Sequence, residues 1–91
     1  MKICIQGLGF VGSAMSVAAS LSKNKVVGIE QPTQEGKKII DSINKGIFPF
    51  KTNDKDLKKN LKILSKKNFL KASYLKSHYE DADVVIVSIN C

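Results

Sequence analysis

The sequence of 91 residues contains no arginine and no tryptophan, and it has only one histidine and two cysteines. It has no apolar run of about 18 residues that would span a membrane, and no basic and apolar leader before a cleavage site. The cysteines, Cys4 and Cys91, lack the spacing of a metal site or a disulfide framework. We therefore expect one small cytoplasmic domain with reduced thiols and no metal.

All of the positive charge comes from 15 lysines, which give a net charge of +7 against eight acids. The excess lies in residues 51–76, but no arginines or interleaved aromatic residues accompany it, as a nucleic-acid site would require. Leu57, Leu61 and Leu64 recur there at helical spacing. This pattern predicts an amphipathic helix with a solvated basic face, and we expect no nucleic-acid binding.

The segment Met1–Gly12, MKICIQGLGFVG, indicates what the domain binds. A short apolar strand runs into Gly7, Gly9 and Gly12, and a helical pattern follows, as in a dinucleotide-binding turn. Gly9 lets the backbone approach a pyrophosphate. The free N–H groups of Phe10, Val11 and Gly12 would face the phosphates at the start of the helix. The alternative is a βαβ unit whose glycines only form a turn.

Glu30 follows the second apolar strand, 18 residues after Gly12. This is close to the spacing of about 20 residues expected for the acid that binds the adenosine ribose. A carboxylate there accepts hydrogen bonds from the ribose hydroxyls and repels a 2′-phosphate, so the predicted cofactor is NAD. The alternative is that Glu30 is a solvated strand end.

Strands alternate with helices along the whole chain, which predicts an α/β, Rossmann-like parallel sheet with helices on both faces. The helices are expected over residues 10–23, 34–45, 54–67 and 74–80, and Asn24 suits a left-handed cap of the first. Strands are expected at residues 3–5, 26–29, 68–72 and 84–89. Right-handed crossovers give the strand order 3-2-1-4. Ligands bind beyond the strand ends where the winding reverses, so Ser88 and Asn90 join the predicted site.

An apolar loop, Gly46–Phe50, stands out because connecting loops are usually polar. One interpretation is that Ile47, Phe48 and Phe50 close the bottom of the core. The other is that they contact another domain or a substrate, and an uncovered edge strand would also favour association. We therefore expect a homo-oligomer, or association with another chain, through Phe48, Phe50 and an edge strand.

Four segments together resemble the N-terminal part of the UDP-glucose/GDP-mannose dehydrogenase family, including its UDP-N-acetylmannosamine dehydrogenase branch. They are MKICIQGLGFVG, VVGIE, INKGIFPF and ADVVIVSINC, and they occur in the family's order. The resemblance implies that residues 1–91 are a single NAD-binding domain of a longer enzyme. It also implies NAD-dependent oxidation of a nucleotide sugar's primary alcohol to a carboxylate, in two steps. The sugar nucleotide would bind only with the missing C-terminal part.

The chain departs from the family pattern at two places. Lys51–Asp54 replaces a Glu-Pro-Gly-Leu element, and Asn90 and Cys91 stand where proline and threonine are usual. The family's nucleophilic cysteine and catalytic lysine also fall beyond residue 91. Cys4 lies in a buried strand, Cys91 lacks an activating neighbour, and His78 lies on a polar helix away from the crevice. We thus assign no catalytic residue and expect the chain alone to be inactive.

Two other functions remain open on the residues alone. One is a non-catalytic nucleotide-binding or interaction module, which pairs with another chain through its apolar loop and last strand. The other is the cofactor domain of a 6-phosphogluconate or 3-hydroxyisobutyrate type of dehydrogenase, although the Gly46–Phe50 turn argues against it.

The substitution Gly9→Val tests the glycine turn. We expect it to abolish nucleotide binding in a calorimetric titration, because a branched side chain would occupy the pyrophosphate position. Retained affinity would exclude the turn from the binding site.

Overall fold

The computed structural model describes residues 1–88, and Asn90 and Cys91 therefore lie outside the described residues. Four parallel strands stand in the order β3-β2-β1-β4, which confirms the predicted order and the Rossmann-like fold class. In chain order the elements are β1 (Lys2–Gln6), α1 (Phe10–Leu21), β2 (Lys25–Ile29), α2 (Gln34–Asn44), α3 (Lys55–Lys66), β3 (Leu70–Ser73), a 3₁₀ helix (Lys76–Tyr79) and β4 (Val84–Val87).

Strand β1 lies at the centre and pairs on both sides. Ile3 is opposite Val26 of β2 and opposite Val84 of β4. Cys4 and Ile5 are fully buried, as are nearly all positions of β2. Continuous apolar strands of this kind form the interior of a parallel sheet covered on both faces.

The three α-helices pack on one face of the sheet. Side chains point alternately to the two faces of a strand, and Ile3 and Ile5 belong to the same buried cluster as Val17 of α1 and Leu61 of α3. The other buried members are Leu8, Val26, Ile39, Ile40, Ile43, Phe48, Leu64, Leu70 and Ala72. The apolar side of the lysine-rich helix α3 therefore faces the core, and its lysines are exposed.

The opposite face has a thinner cover. Cys4, Val27 and Ile29 are buried there beneath Tyr79 and Ala82, from the 3₁₀ helix and the turn after it. On the same face, strand β4 is not covered, and its residues Val85 and Val87 are 43% and 56% exposed. Among residues 1–88, no helix is long and apolar enough to cross a membrane.

The helix ends are held by side-chain hydrogen bonds at three places. Thr33 caps α2 by accepting a hydrogen bond from the Gly36 N–H at 3.0 Å, and Asp54 caps α3 through the Leu57 N–H at 3.0 Å. The expected left-handed cap at Asn24 is wrong, because Lys23 has the positive φ of 65°. The Asn24 side chain instead donates to the Ala19 carbonyl at 3.1 Å and satisfies a free end of α1.

The two edges of the sheet differ in how they are protected. At β3, the side chain of Asn44 donates to the Ala72 carbonyl at 2.9 Å and accepts from the Ala72 N–H at 2.8 Å. The amide thus takes the place of a neighbouring strand. At β4, the register of pairing with β1 points the backbone N–H and carbonyl groups of Val85 and Val87 away from β1. The β4 edge is consequently open within the described residues.

Asn44→Ala removes both hydrogen bonds to buried Ala72. We expect the free energy of unfolding to fall by about 1–3 kcal/mol, because the Ala72 N–H and carbonyl lose their partner. Urea denaturation measures it, with Lys38→Ala on the exposed side of α2 as the control. Equal stability of the two variants would mean that water replaces Asn44 without cost.

Candidate functional site

The site begins where β1 ends, at a turn that only glycine fits. Gly7 has a φ of +95°, and its N–H donates to the Ile29 carbonyl at 2.9 Å. A Cβ on Gly7 would lie 2.5 Å from the carbonyl oxygen of Ser88, which follows β4. Because β4 pairs with β1, Ser88 lies directly beside the turn. Gly7 and Ser88, two of the predicted site residues, are therefore neighbours.

Gly12 brings helix α1 equally close to the turn. A Cβ at this position would lie 1.9 Å from the Gly7 carbonyl oxygen and 3.3 Å from the Ser88 Cβ. The hydroxyl of Ser13 also donates to the Leu8 carbonyl at 3.1 Å. Helix and strand can approach this closely only without a side chain at residue 12.

The N-terminus of α1 has none of the usual local partners. Gly9 is its N-cap, so no side chain accepts a hydrogen bond there, and the first turn contains no acid. The first N–H groups of a helix, here those of Phe10, Val11 and Gly12, have no partner within the helix. Together with the helix dipole they form a site for an anion such as a phosphate.

Glu30, at the end of β2, is tied to the glycine turn. One carboxylate oxygen accepts the Leu8 N–H at 2.9 Å and the other accepts the Gln31 N–H at 3.0 Å. Each oxygen of a carboxylate accepts about two hydrogen bonds. Glu30 therefore keeps free acceptor positions while its orientation is fixed.

Sequence reasoning missed Leu8, which connects the turn to β2. Its side chain is fully buried and lies over Gly28, where a Cβ would be 2.4 Å from the Leu8 Cδ2 atom. Gly28 is the feature of the sequence that could have indicated this contact, because a glycine inside an apolar strand often marks a close approach by another group.

Two clefts meet at Glu30. One, of about 250 Å³, is bordered by Gly9, Phe10 and Phe50 on the α2 side. The other, of about 390 Å³, lies on the opposite side of the strand ends. It is lined by Gln6, Gly7, Ile29, Glu30, Gln31, Pro32, Tyr74, Lys76 and Tyr79. The tyrosines were not predicted as site residues, since no short motif connects them to β1.

The apolar loop lies beside the glycine turn. Phe48 is only 8% exposed, and its ring packs against that of Phe10, the first residue of α1. Burial of Phe48 fits the interpretation that the loop closes the core. The loop lies, however, at the carboxyl ends of the strands and not at the bottom of the core. Ile47 is exposed, and a wide groove of about 750 Å³ runs between the loop and Lys58 and Lys62 of α3.

Cys4 and His78 lie away from this crevice. Cys4 is fully buried, its thiol donates to the His78 carbonyl at 3.2 Å, and burial raises the pKa of the thiol. A protonated, inaccessible thiol is not a nucleophile. Burial lowers the pKa of His78, which lies in the 3₁₀ helix near the amino-terminal end of β1. Among residues 1–88, no cluster of three or more metal-ligating side chains occurs.

The residues present fit a ligand with a pyrophosphate and a ribose. Gly7 and Gly12 let β1, α1 and Ser88 approach closely, the α1 N-terminus is free for an anion, and Glu30 offers acceptors to hydroxyl groups. Asn90, the remaining predicted position, lies outside the described residues.

Residues 1–91 match the family model of the UDP-glucose/GDP-mannose dehydrogenase family, NAD binding domain. NAD is the cofactor that this match implies. No curated protein matches the chain.

Solved structures share the fold over nearly the whole chain. An NDP-N-acetyl-D-galactosaminuronic acid dehydrogenase from Methanosarcina mazei Go1 has 23% identity and a TM-score of 0.91, with 98% of this chain and 19% of that chain covered. A GDP-mannose dehydrogenase from Pseudomonas aeruginosa has 26% identity and a TM-score of 0.85, with coverages of 99% and 20%. A UDP-N-acetyl-mannosamine dehydrogenase from Staphylococcus aureus has 22% identity and a TM-score of 0.79, with coverages of 98% and 19%. The chain thus spans about a fifth of these structures.

Gly12→Ala tests the close approach of α1 to β1. We expect the free energy of unfolding to fall by about 1–3 kcal/mol, because the added methyl group overlaps the Gly7 carbonyl oxygen. Urea denaturation measures the loss. Ala18→Ser, on the exposed side of the same helix, should change it by less than about 0.5 kcal/mol. Unchanged stability in Gly12→Ala would contradict the packing.

Proposed function

Because the chain belongs to the UDP-glucose/GDP-mannose dehydrogenase family and matches the model of its NAD-binding domain over residues 1–91, we propose that it binds the ADP half of NAD at the glycine turn. In the proposed enzyme it is the cofactor-binding part of a nucleotide-sugar dehydrogenase, which oxidises a sugar's primary alcohol to a carboxylate. Two NAD molecules, bound one after the other, would each accept one hydride, one in each of the two oxidation steps.

The observation that carries this proposal is the junction of Gly7, Gly12 and Ser88 in front of the uncapped α1 helix. The junction fixes the start of α1, and its N-cap Gly9 has no side chain between a pyrophosphate and the backbone N–H groups of Phe10 and Val11. Those N–H groups and the helix dipole compensate for the charge of the phosphates. The chain's own contribution is thus to hold and orient the cofactor.

Glu30 would select NAD over NADP. Its carboxylate is held by the N–H groups of Leu8 and Gln31 and keeps acceptors for the two ribose hydroxyls. A 2′-phosphate in the same place would face the negative carboxylate. The chain contains no arginine to neutralise that phosphate.

We assign the chain no part in the chemical step itself. Cys4 is inaccessible and His78 is at the far end of β1. The proposed nucleophile, base and sugar-nucleotide pocket belong to other parts of the enzyme, so the chain alone turns over no substrate. We further propose a cytoplasmic protein that binds no nucleic acid and associates through its apolar loop and an edge strand.

A second candidate function is an interaction module that pairs with another chain. The open edge of β4 favours it, since Val84, Val85 and Val87 are all exposed. An open apolar strand edge is a site for strand addition.

Isothermal titration calorimetry of the chain with NAD, NADP and a UDP-sugar, at two salt concentrations, separates the two functions. The cofactor-binding proposal expects NAD to bind in preference to NADP, with little dependence on salt. Binding of none of the three would favour the interaction module, and a concentration-dependent mass in sedimentation would support it.

Glu30→Ala should weaken NAD binding by about 1–3 kcal/mol, because the ribose hydroxyls lose a charged acceptor. The preference over NADP should shrink at the same time. Glu80→Ala removes the same charge from an exposed position that lines neither cleft and serves as the control. Equal NAD affinity in both variants would mean that Glu30 does not contact the cofactor.

A further inference from the structure

The aromatic residues Phe10, Phe48 and Phe50 form one cluster between the apolar loop and α1. We propose that this cluster holds the first turn of α1 in place of a side-chain cap, and that Phe50 is thereby a positioning residue for the cofactor's pyrophosphate. This inference rests on the proposed function, since it concerns the same phosphate-binding turn.

The three α-helices differ in how their N-termini are held. Thr33 and Asp54 cap α2 and α3 through side-chain hydrogen bonds of 3.0 Å. Helix α1 has Gly9 at that position, with no side-chain hydrogen bond and no acid in the first turn. A glycine N-cap supplies no side-chain acceptor, so the first turn of α1 lacks the stabilisation that such a hydrogen bond gives. A capping side chain, however, would occupy the N–H groups that a phosphate needs.

The rings supply a contact that does not use those N–H groups. The centroids of Phe10 and Phe48 are 5.4 Å apart at an interplanar angle of 78°, an edge-to-face arrangement. Phe50 is 6.1 Å from each of the other two rings. Phe48 is buried in the main core, so the cluster anchors Phe10 to a fixed part of the protein. The first turn is held through a side chain while its backbone donors stay free.

Phe50 is the member best suited to a test. It is only partly buried, and it borders the cleft that also contains Gly9 and Glu30. Replacing it with leucine removes two ring contacts but keeps an apolar side chain. If the cluster acts on the first turn of α1, the loss of affinity must depend on the pyrophosphate of the ligand. If Phe50 merely lines the cleft, ligands without phosphate must lose affinity as well.

The experiment compares NAD, ADP and adenosine binding to the wild-type chain and to Phe50→Leu by NMR titration. We expect a loss of about three- to tenfold for NAD and ADP, the scale of one or two aromatic pairs. Adenosine affinity should be unchanged. The amide signals of Val11 and Gly12 should shift in the free variant, because the first turn of α1 relaxes.

Three further variants sharpen the comparison. Phe50→Tyr keeps the ring and should retain wild-type affinity. Phe10→Leu should reproduce the ADP loss, and combining it with Phe50→Leu should add little. Phe69→Leu is the matched control: Phe69 is 44% exposed, as Phe10 is, but precedes β3 at the other end of the sheet. Thermal unfolding confirms that each variant is folded.

Failure of the inference and failure of the proposed function give different results. A wild-type chain that binds neither NAD nor ADP contradicts the proposed function. If the wild-type chain binds ADP, an unchanged ADP affinity in Phe50→Leu overturns the inference, and so does an equal loss for adenosine. If Phe50→Leu does not fold, the ADP and adenosine affinities of Phe10→Leu decide between the same outcomes.

Discussion

The structure depends on the contact between the backbone at Gly12 and the Gly7 carbonyl oxygen, where a Cβ would lie 1.9 Å away. This contact sets how closely α1 approaches the end of β1. It also sets where the N–H groups of α1 point, and it places Ser88 beside them through the pairing of β4 with β1. The packing of the domain and the geometry of its binding site therefore share one steric requirement, and a change at Gly12 cannot alter one without the other.

The site has groups of opposite charge at the ends of two adjacent strands, β1 and β2. The α1 N-terminus carries a partial positive charge, and Glu30 carries a negative charge at the end of β2. The Leu8 N–H connects the two, because it donates to Glu30 from within the glycine turn. A ligand with phosphates at one end and hydroxyl groups at the other matches this polarity. The lysines of α3 lie on its exposed side and border neither of the two clefts at Glu30.

The sequence predicted the strand order, the glycine turn and the position of Glu30, because glycine spacing and apolar strands reflect local steric demands. It did not predict the bonds of Asn44 to β3, since an amide can pair with any edge within reach. It placed the left-handed residue one position late, at Asn24, because asparagine tolerates that conformation better than lysine does. The function of Phe48 could not be determined either, because its partner Phe10 is 38 residues away in the chain.

The order of the strands also affects how the chain folds during synthesis. Ile3 pairs with Val84, so β1 is translated 81 residues before its second neighbour. At about 5–20 residues per second, the ribosome takes roughly 4–16 s to make that interval. During this time Cys4 and Ile5, which are fully buried in the native fold, have one side of their backbone unpaired. The central strand of the site is thus the one that waits longest for its full set of backbone partners.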